Sequence, residues 1–255
     1  MPRRYLAHLL LVCAVLLGGW QAQAQERAFN PGLEMMLFYK NPSSELAARI
    51  FDAIASDPRS NRDNVQGAIV GFAAVMFQKY PERIDRFLPE QPSAQLMASL
   101  ATALRLAGQH DRALDYVTPV TGKARLKDFI NRLPASFDAI EARGAYDFDL
   151  LWGATFASGD AAYCRKILDR YTALANTGDN ADHILTFARS QQTQEDTKGL
   201  VAQLGREKSI ELVHVASALW SLKSNARAHA FVGEMLAQYL AANPDTPATK
   251  ALLSL

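Results

Sequence analysis

Two cysteines in 255 residues are too few to staple this chain, and one of them, Cys13, sits inside the first apolar run. A disulfide framework is excluded, so hydrophobic packing has to hold the fold together. Charge of one sign is lacking as well. The formal net charge is +1, with 27 basic residues against 26 acidic ones and no long block of either. Nucleic-acid binding needs a concentrated basic face for its phosphate contacts, and none is present. Strand patterning is missing: no stretch sustains a two-residue alternation between turn signals, and "YVTPVTG" is short and broken by Pro119. The sequence also contains no H-E-x-x-H zinc signature, no glycine loop that cradles phosphate and no G-x-S-x-G nucleophile elbow. No cofactor is expected.

What is present begins with a leader pattern. Met1-Pro2-Arg3-Arg4 is followed by an almost wholly apolar run to Trp20 and then by Ala22-Gln23-Ala24-Gln25. A basic start, an apolar middle and a small-x-small site are the layout of a secretory signal peptide, with cleavage expected after Ala24. A membrane anchor is the alternative, but "LAHLLLVCAVLLGGW" is shorter than the roughly 20 apolar residues that span a bilayer. Lipidation at Cys13 is disfavoured because the cysteine lies within the apolar run rather than at its end. Cleavage removes Arg3 and Arg4 and leaves a nearly neutral chain of roughly 230 residues, long enough to bury a sizeable core. The expected organisation is a signal peptide over 1–24, an N-terminal extension over 25–42 and a helical domain over 43–255.

Helical periodicity recurs through that domain, with apolar residues at three-and-four spacing between Gly, Pro, Asn and Asp breaks. Asn41-Pro42-Ser43-Ser44 caps "ELAARIFDAIAS", whose Leu46, Ile50, Phe51 and Ile54 share a face. "NVQGAIVGFAAVMFQKY" is apolar almost all round, and Gly67-x-x-x-Gly71 within it predicts a close helix crossing in a soluble core. "SAQLMASLATALRLAGQHDRALDYV" predicts one helix to Ala107, a break at Gly108 and a second helix from about Asp111. The same layout is predicted around Gly144, around Gly159-Asp160 and around Ser224. Shorter helices are expected in "NTGDNADHILTFARS" and "TQEDTKGLVAQLG". The expected fold class is all-α, an irregular stack of antiparallel helix pairs.

The segment "ATALRLAGQHDRALDY" resembles the helix-turn-helix heart of a tetratricopeptide repeat. The family's small, Gly and Ala positions at the helix contact fall on Ala103, Gly108 and Ala113. The resemblance implies a helical-repeat α-solenoid of irregular period, since the corners are unevenly spaced, and it carries no catalytic residue with it.

Candidate chemistry is sparse. Glu207, Glu211 and His214 fall on one side of a predicted helix, and Glu211-x-x-His214 has the spacing of a carboxylate-bridged iron half-site. These three are the metal candidates, and Glu211 and His214 the catalytic ones, although a second such motif is missing. His229 and Asp182-His183 are placed where they can face that helix. His110-Asp111 reads as a helix cap, as do Asp147/Asp149 and Glu195/Asp196. Arg59-x-x-Arg62 lies in a polar loop and suits an anion or a solvated connection. Phe72, Phe77, Tyr80, Phe87, Trp152, Phe156 and Trp220 read as core or inter-helix packing. Cys164, in "LWGATFASGDAAYCRKILDRY", is expected at or beside a buried face, with Gly159 ending one helix and Asp160 capping the next.

The resulting expectation is an exported, periplasmic or secreted protein that binds another protein or a peptide, in a scaffold, envelope-assembly or immunity-type role. Self-association is a further option, and neither nucleic acid nor stable membrane insertion is expected. The alternative is a cell-envelope hydrolase with an acidic and histidine site between helices.

Overall fold

A computed structural model describes residues 29–118, 123–193 and 197–255. The leader pattern over 1–24, most of the Pro119 turn and the pair Glu195/Asp196 lie outside these residues. The described residues are 81% helical, with 14 α-helices and no strand, so the chain is all-α. None of these helices is long and apolar enough to cross a membrane.

The compact unit runs Pro31–Leu255. It opens with α1 (Pro31–Leu37) and a 3-10 turn (Phe38–Lys40) in the region expected as an extension. Phe38 is fully buried there, edge-on to Phe72 at 5.2 Å. Helix α2 (Ser44–Ser56) begins where the sequence placed its cap, with the Ser43 hydroxyl accepting from the Leu46 amide at 3.1 Å. Then come α3 (Asp63–Lys79), the single turn α4 (Ile84–Phe87), α5 (Ala94–Leu106) and α6 (His110–Val117). Phe51, Phe72, Phe77 and Phe87 cluster with ring centroids 5.1–5.9 Å apart. Each such buried ring contributes about 1.5–3 kcal/mol relative to exposure. A polar group is also buried. Gln66 donates to the Ser60 and Arg62 carbonyls and accepts from Ser99 at 2.5 Å, which ties the loop before α3 to α5.

The expected break between α5 and α6 is present, and Ala103 and Ala113 are fully buried where the two helices pack. Gly108 takes the left-handed turn between them with φ +77° and open space around it. Its role is conformational rather than one of close approach. Asp111 does not cap α6: the N-cap is Gln109 and no side chain accepts there. Asp111 sits in the first turn, where it complements the helix dipole.

Helix α7 (Lys123–Arg132) is followed by a 3-10 turn (Phe137–Ala139) and irregular backbone. The helix expected before Gly144 is therefore absent. Lys166 Nζ donates to the carbonyls of Phe137, Asp138 and Ile140 at 2.9, 3.0 and 3.3 Å, holding this connector open from another element. Helix α8 (Ala145–Ser158) starts at Gly144, and Asp147 accepts from the Arg143 amide at 2.8 Å.

Helices α3 and α8 form the centre of the molecule, with four helices between them in the chain. Both are buried on most sides, so neither has a polar face to give to water. Glycines permit the approach. A Cβ at Gly67 would lie 2.5 Å from the Tyr146 carbonyl oxygen. One at Gly71 would overlap the Leu150 carbonyl, and one at Gly153 the Ala68 carbonyl. The Gly67-x-x-x-Gly71 spacing is thus a close backbone-to-backbone helix crossing, as the sequence led us to expect.

Beyond α8 come α9 (Ala161–Ala175), α10 (Asn180–Thr193), α11 (Lys198–Leu204), α12 (Arg206–Ala228), α13 (Ala230–Ala242) and α14 (Pro247–Ser254). Neighbours pack as α8 on α9, α9 on α12, α10 on α12 and α12 on α13. The corner expected at Ser224 is displaced: α12 continues to Ala228 and turns at His229. Tyr171 is fully buried and donates to the Ala248 carbonyl at 2.8 Å, which fastens α14 to α9.

Candidate functional site

The residues singled out by spacing lie on the N-terminal half of α12. Glu207 is exposed. Glu211 is half-buried and its two oxygens are taken up by cations, Arg170 from α9 at 2.8 Å and Lys208 at 3.0 Å. The hydrogen bond from Lys208, followed by the charges of Lys208 and Arg170, holds its carboxyl below the usual carboxylate range. An ionised, doubly paired carboxylate is a poor proton donor. His214 is half-buried beside the start of α8, where a Cβ at Gly144 would lie 3.6 Å from its Nδ1. Among the described residues no group of three or more His, Cys, Asp and Glu is arranged to hold a metal ion. Glu207, Glu211 and His214 accordingly share a helix side without forming a ligand set. Nor does His229 join them, because it lies past the C-terminal end of α12, about 23 Å of helix rise beyond His214 and further still from the two glutamates.

The other candidates resolve individually. Arg59 is paired with Asp57 at 2.8 Å and is largely exposed. Asp147 serves the start of α8, as noted, whereas Asp149 does not. It is half-buried, and burial pushes its carboxyl above the usual carboxylate value. Of the aromatic residues, Trp220 departs from the expected packing role and is 48% exposed.

Cys164 is fully buried, with its sulfur 3.3 Å from the Ala161 carbonyl oxygen and 3.7 Å from the Met235 sulfur. Burial pushes the thiol up to about 11. A thiol needs exposure and a lowered pKa to react, and this one has neither. The corner before it is built as expected. Gly159 takes φ +73° to end α8, and Asp160 accepts from the Ala162 amide at 2.8 Å to start α9.

Two features around that corner were not anticipated. The first is an open groove of about 430 Å³ between the start of α9 and α13, lined by Asp160, Arg165, Phe231, Glu234, Met235 and Gln238, among others. Phe231, half-buried, gives it apolar surface, whereas Met235 is almost wholly buried. Among the described residues Arg165, Glu234 and Gln238 have no side-chain hydrogen bond or ion pair, so their polar groups face water. A larger groove of about 530 Å³ lies between α2 and α4, but there Asp52 and Arg86 are already joined by two hydrogen bonds of 2.9 and 2.6 Å.

The second feature is an aromatic enclosure around His229. This histidine is 1% exposed and turns the chain from α12 into α13. Its Nδ1 lies 3.0 Å from the Tyr39 hydroxyl. The rings of Phe156, Tyr39 and Phe231 surround it with centroids at 4.7, 5.6 and 6.2 Å. Tyr39 also packs on the Gly159 corner, where a Cβ on the glycine would lie 3.0 Å from the tyrosine Cβ. Trp152 stacks on Phe156 and donates to the Ser221 hydroxyl at 3.1 Å.

Compared with known proteins, the chain matches no family model, no curated protein and no solved structure. Any functional reading therefore rests on the geometry above.

Proposed function

We infer that this is an exported helical-repeat protein, tetratricopeptide-like in plan, that holds an extended segment of another protein in the groove between α9 and α13. The observation that carries the reading is the groove itself. It combines apolar surface from Phe231 with unpaired side chains of both signs, Arg165 and Glu234. An extended peptide offers matching chemistry, with backbone amides for Gln238 and side chains of either charge for the walls. The repeat-like plan is supported by the packing of consecutive helices, α5 on α6, α8 on α9 and α12 on α13. The α3–α8 crossing makes the stack irregular, because a strictly one-dimensional repeat contacts only its neighbours. Export and a periplasmic or secreted location are supported by the leader pattern over 1–24.

The test is selection from a displayed peptide library on the protein lacking residues 1–24. Peptides recovered on it should lose about tenfold in affinity against Arg165→Glu or Phe231→Ala, the effect of removing one good anchor. Recovered peptides that bind these variants and the parent equally would place binding elsewhere. Export has its own readout: the protein from a cell-envelope fraction should begin at Gln25.

A further inference from the structure

The His229 enclosure joins parts of the chain that are remote in sequence. Tyr39 comes from the 3-10 turn after α1, Phe156 from α8 and Phe231 from α13. A hydrogen bond, Tyr39 to His229 Nδ1, links the N-terminal segment to the α12–α13 corner. His229 Nε2 is buried and has no hydrogen-bond partner among the described residues. We propose that Tyr39 and His229 form an acid-released latch, closed while the imidazole is neutral and opened when it gains a proton.

The argument follows from counting donors and acceptors. Tyr39 is the one partner of the neutral imidazole: with the hydrogen on Nδ1 only an acceptor at Nε2 is left over, and with the hydrogen on Nε2 that N–H is unpartnered before any proton is gained. An imidazolium has two N–H donors. The tyrosine oxygen can accept from Nδ1, and Nε2–H is left without an acceptor inside an apolar enclosure. If the tyrosine hydroxyl donates in the neutral state, protonation at Nδ1 also reverses that bond and forces the phenol to turn.

The charges around the ring favour opening. From the N-terminal segment the facing groups are Tyr39 and Lys40, the latter 6.0 Å from the tyrosine ring centroid. Helix α8 presents Phe156, and the α12–α13 corner presents Phe231; no charged group on either acts on the ring. Asp160 and Glu234 line the neighbouring groove and do not act on it either. The imidazolium has no counter-ion, and Lys40 repels it. The faces of the aromatic rings offset part of that cost.

Burial first, and Lys40 second, hold His229 below its ordinary value of 6.5 in the folded protein. The sign follows: the unfolded chain takes up this proton first as the pH falls. The contribution of the latch is complete above 6.5 and is lost as the pH falls through the lowered folded-state value. Phe231 belongs to both the enclosure and the groove, so opening the latch also disturbs one groove wall. That consequence rests on the binding reading; the latch itself does not.

Hydrogen exchange on the protein lacking residues 1–24, at pH 7.5 and pH 5 and corrected for intrinsic rates, tests the proposal. Segments around 36–42 and 226–233 should exchange several-fold faster at the lower pH, while α3 and α8 stay protected. His229→Phe fills the enclosure without titrating and should abolish this acid increment. Tyr39→Phe should loosen 36–42 at both pH values. An unchanged increment in His229→Phe, or none in the parent, overturns the latch. Because a variant can fail to fold, the His229 ring is also titrated by NMR in the parent protein. A midpoint below 6.5 that coincides with the exchange change supports the latch, and a midpoint at or above 6.5 contradicts it.

Discussion

Cys164 and Lys166 stand two positions apart at the start of α9 and have opposite fates. The thiol turns into the core beside Met235, and the ammonium reaches three carbonyls of the 137–140 connector. Native-state labelling of Cys164 should accordingly be slow and limited by unfolding, rising to ordinary thiol rates only in denaturant. Rapid modification of the folded protein would show the sulfur to be accessible. The burial of Cys164 was legible because its helical stripe is local. The reach of Lys166 was not, since a lysine on a helix carries no mark of a partner that depends on tertiary packing. The same holds for His229, whose partner Tyr39 lies 190 positions away and has no signal in sequence spacing. Glu211 shows the converse, a spacing that suggested ligation but whose carboxylate is spent on Arg170 and Lys208.

Asp149 provides a residue-scale test with a definite sign. Its carboxyl is raised by burial in the folded protein, so ionisation costs stability at neutral pH and costs nothing once folded and unfolded forms are both protonated. Asp149→Asn should raise the urea midpoint at pH 7.5, with the advantage shrinking as the pH falls through the carboxylate range. An advantage that grows on acidification would contradict the assignment. Tyr171→Phe should cost about 1 kcal/mol, the usual effect of removing one buried hydrogen bond.

Among the elements, the α3–α8 crossing dominates, and glycine is its material. Gly71→Ala forces a methyl into the Leu150 carbonyl and should lower stability by about 3 kcal/mol, at the upper end for overpacking. Gly199→Ala, on α11 with nothing within 4 Å, is the control and should gain about 0.5–1 kcal/mol from helix propensity. Equal urea midpoints for the two variants would refute the close crossing. The two glycines of α3 could be read as a contact motif, but their partner could not, because α3 and α8 are separated by four helices. Element boundaries divide on the same line. Ser43 and the Gly159-Asp160 corner were legible because caps use short-range hydrogen bonds. The connector before Gly144 and the run of α12 past Ser224 were not, because Lys166 and the His229 enclosure decide them from a distance.

For the whole molecule, the all-α class followed from periodicity that repeats in nearly every segment, so errors at single corners did not change it. Function depends on surface, which periodicity does not describe: the groove is made by the start of α9 and by α13, far apart in sequence. Its use by a partner protein is the central claim. The most direct measurement is affinity capture from the organism's own envelope extract, with the parent protein and an Arg165→Glu/Phe231→Ala variant run side by side. The account predicts a protein species retained by the parent and lost from the variant, with both baits folded by circular dichroism. No retained species, or the same species retained equally by both baits, would contradict it.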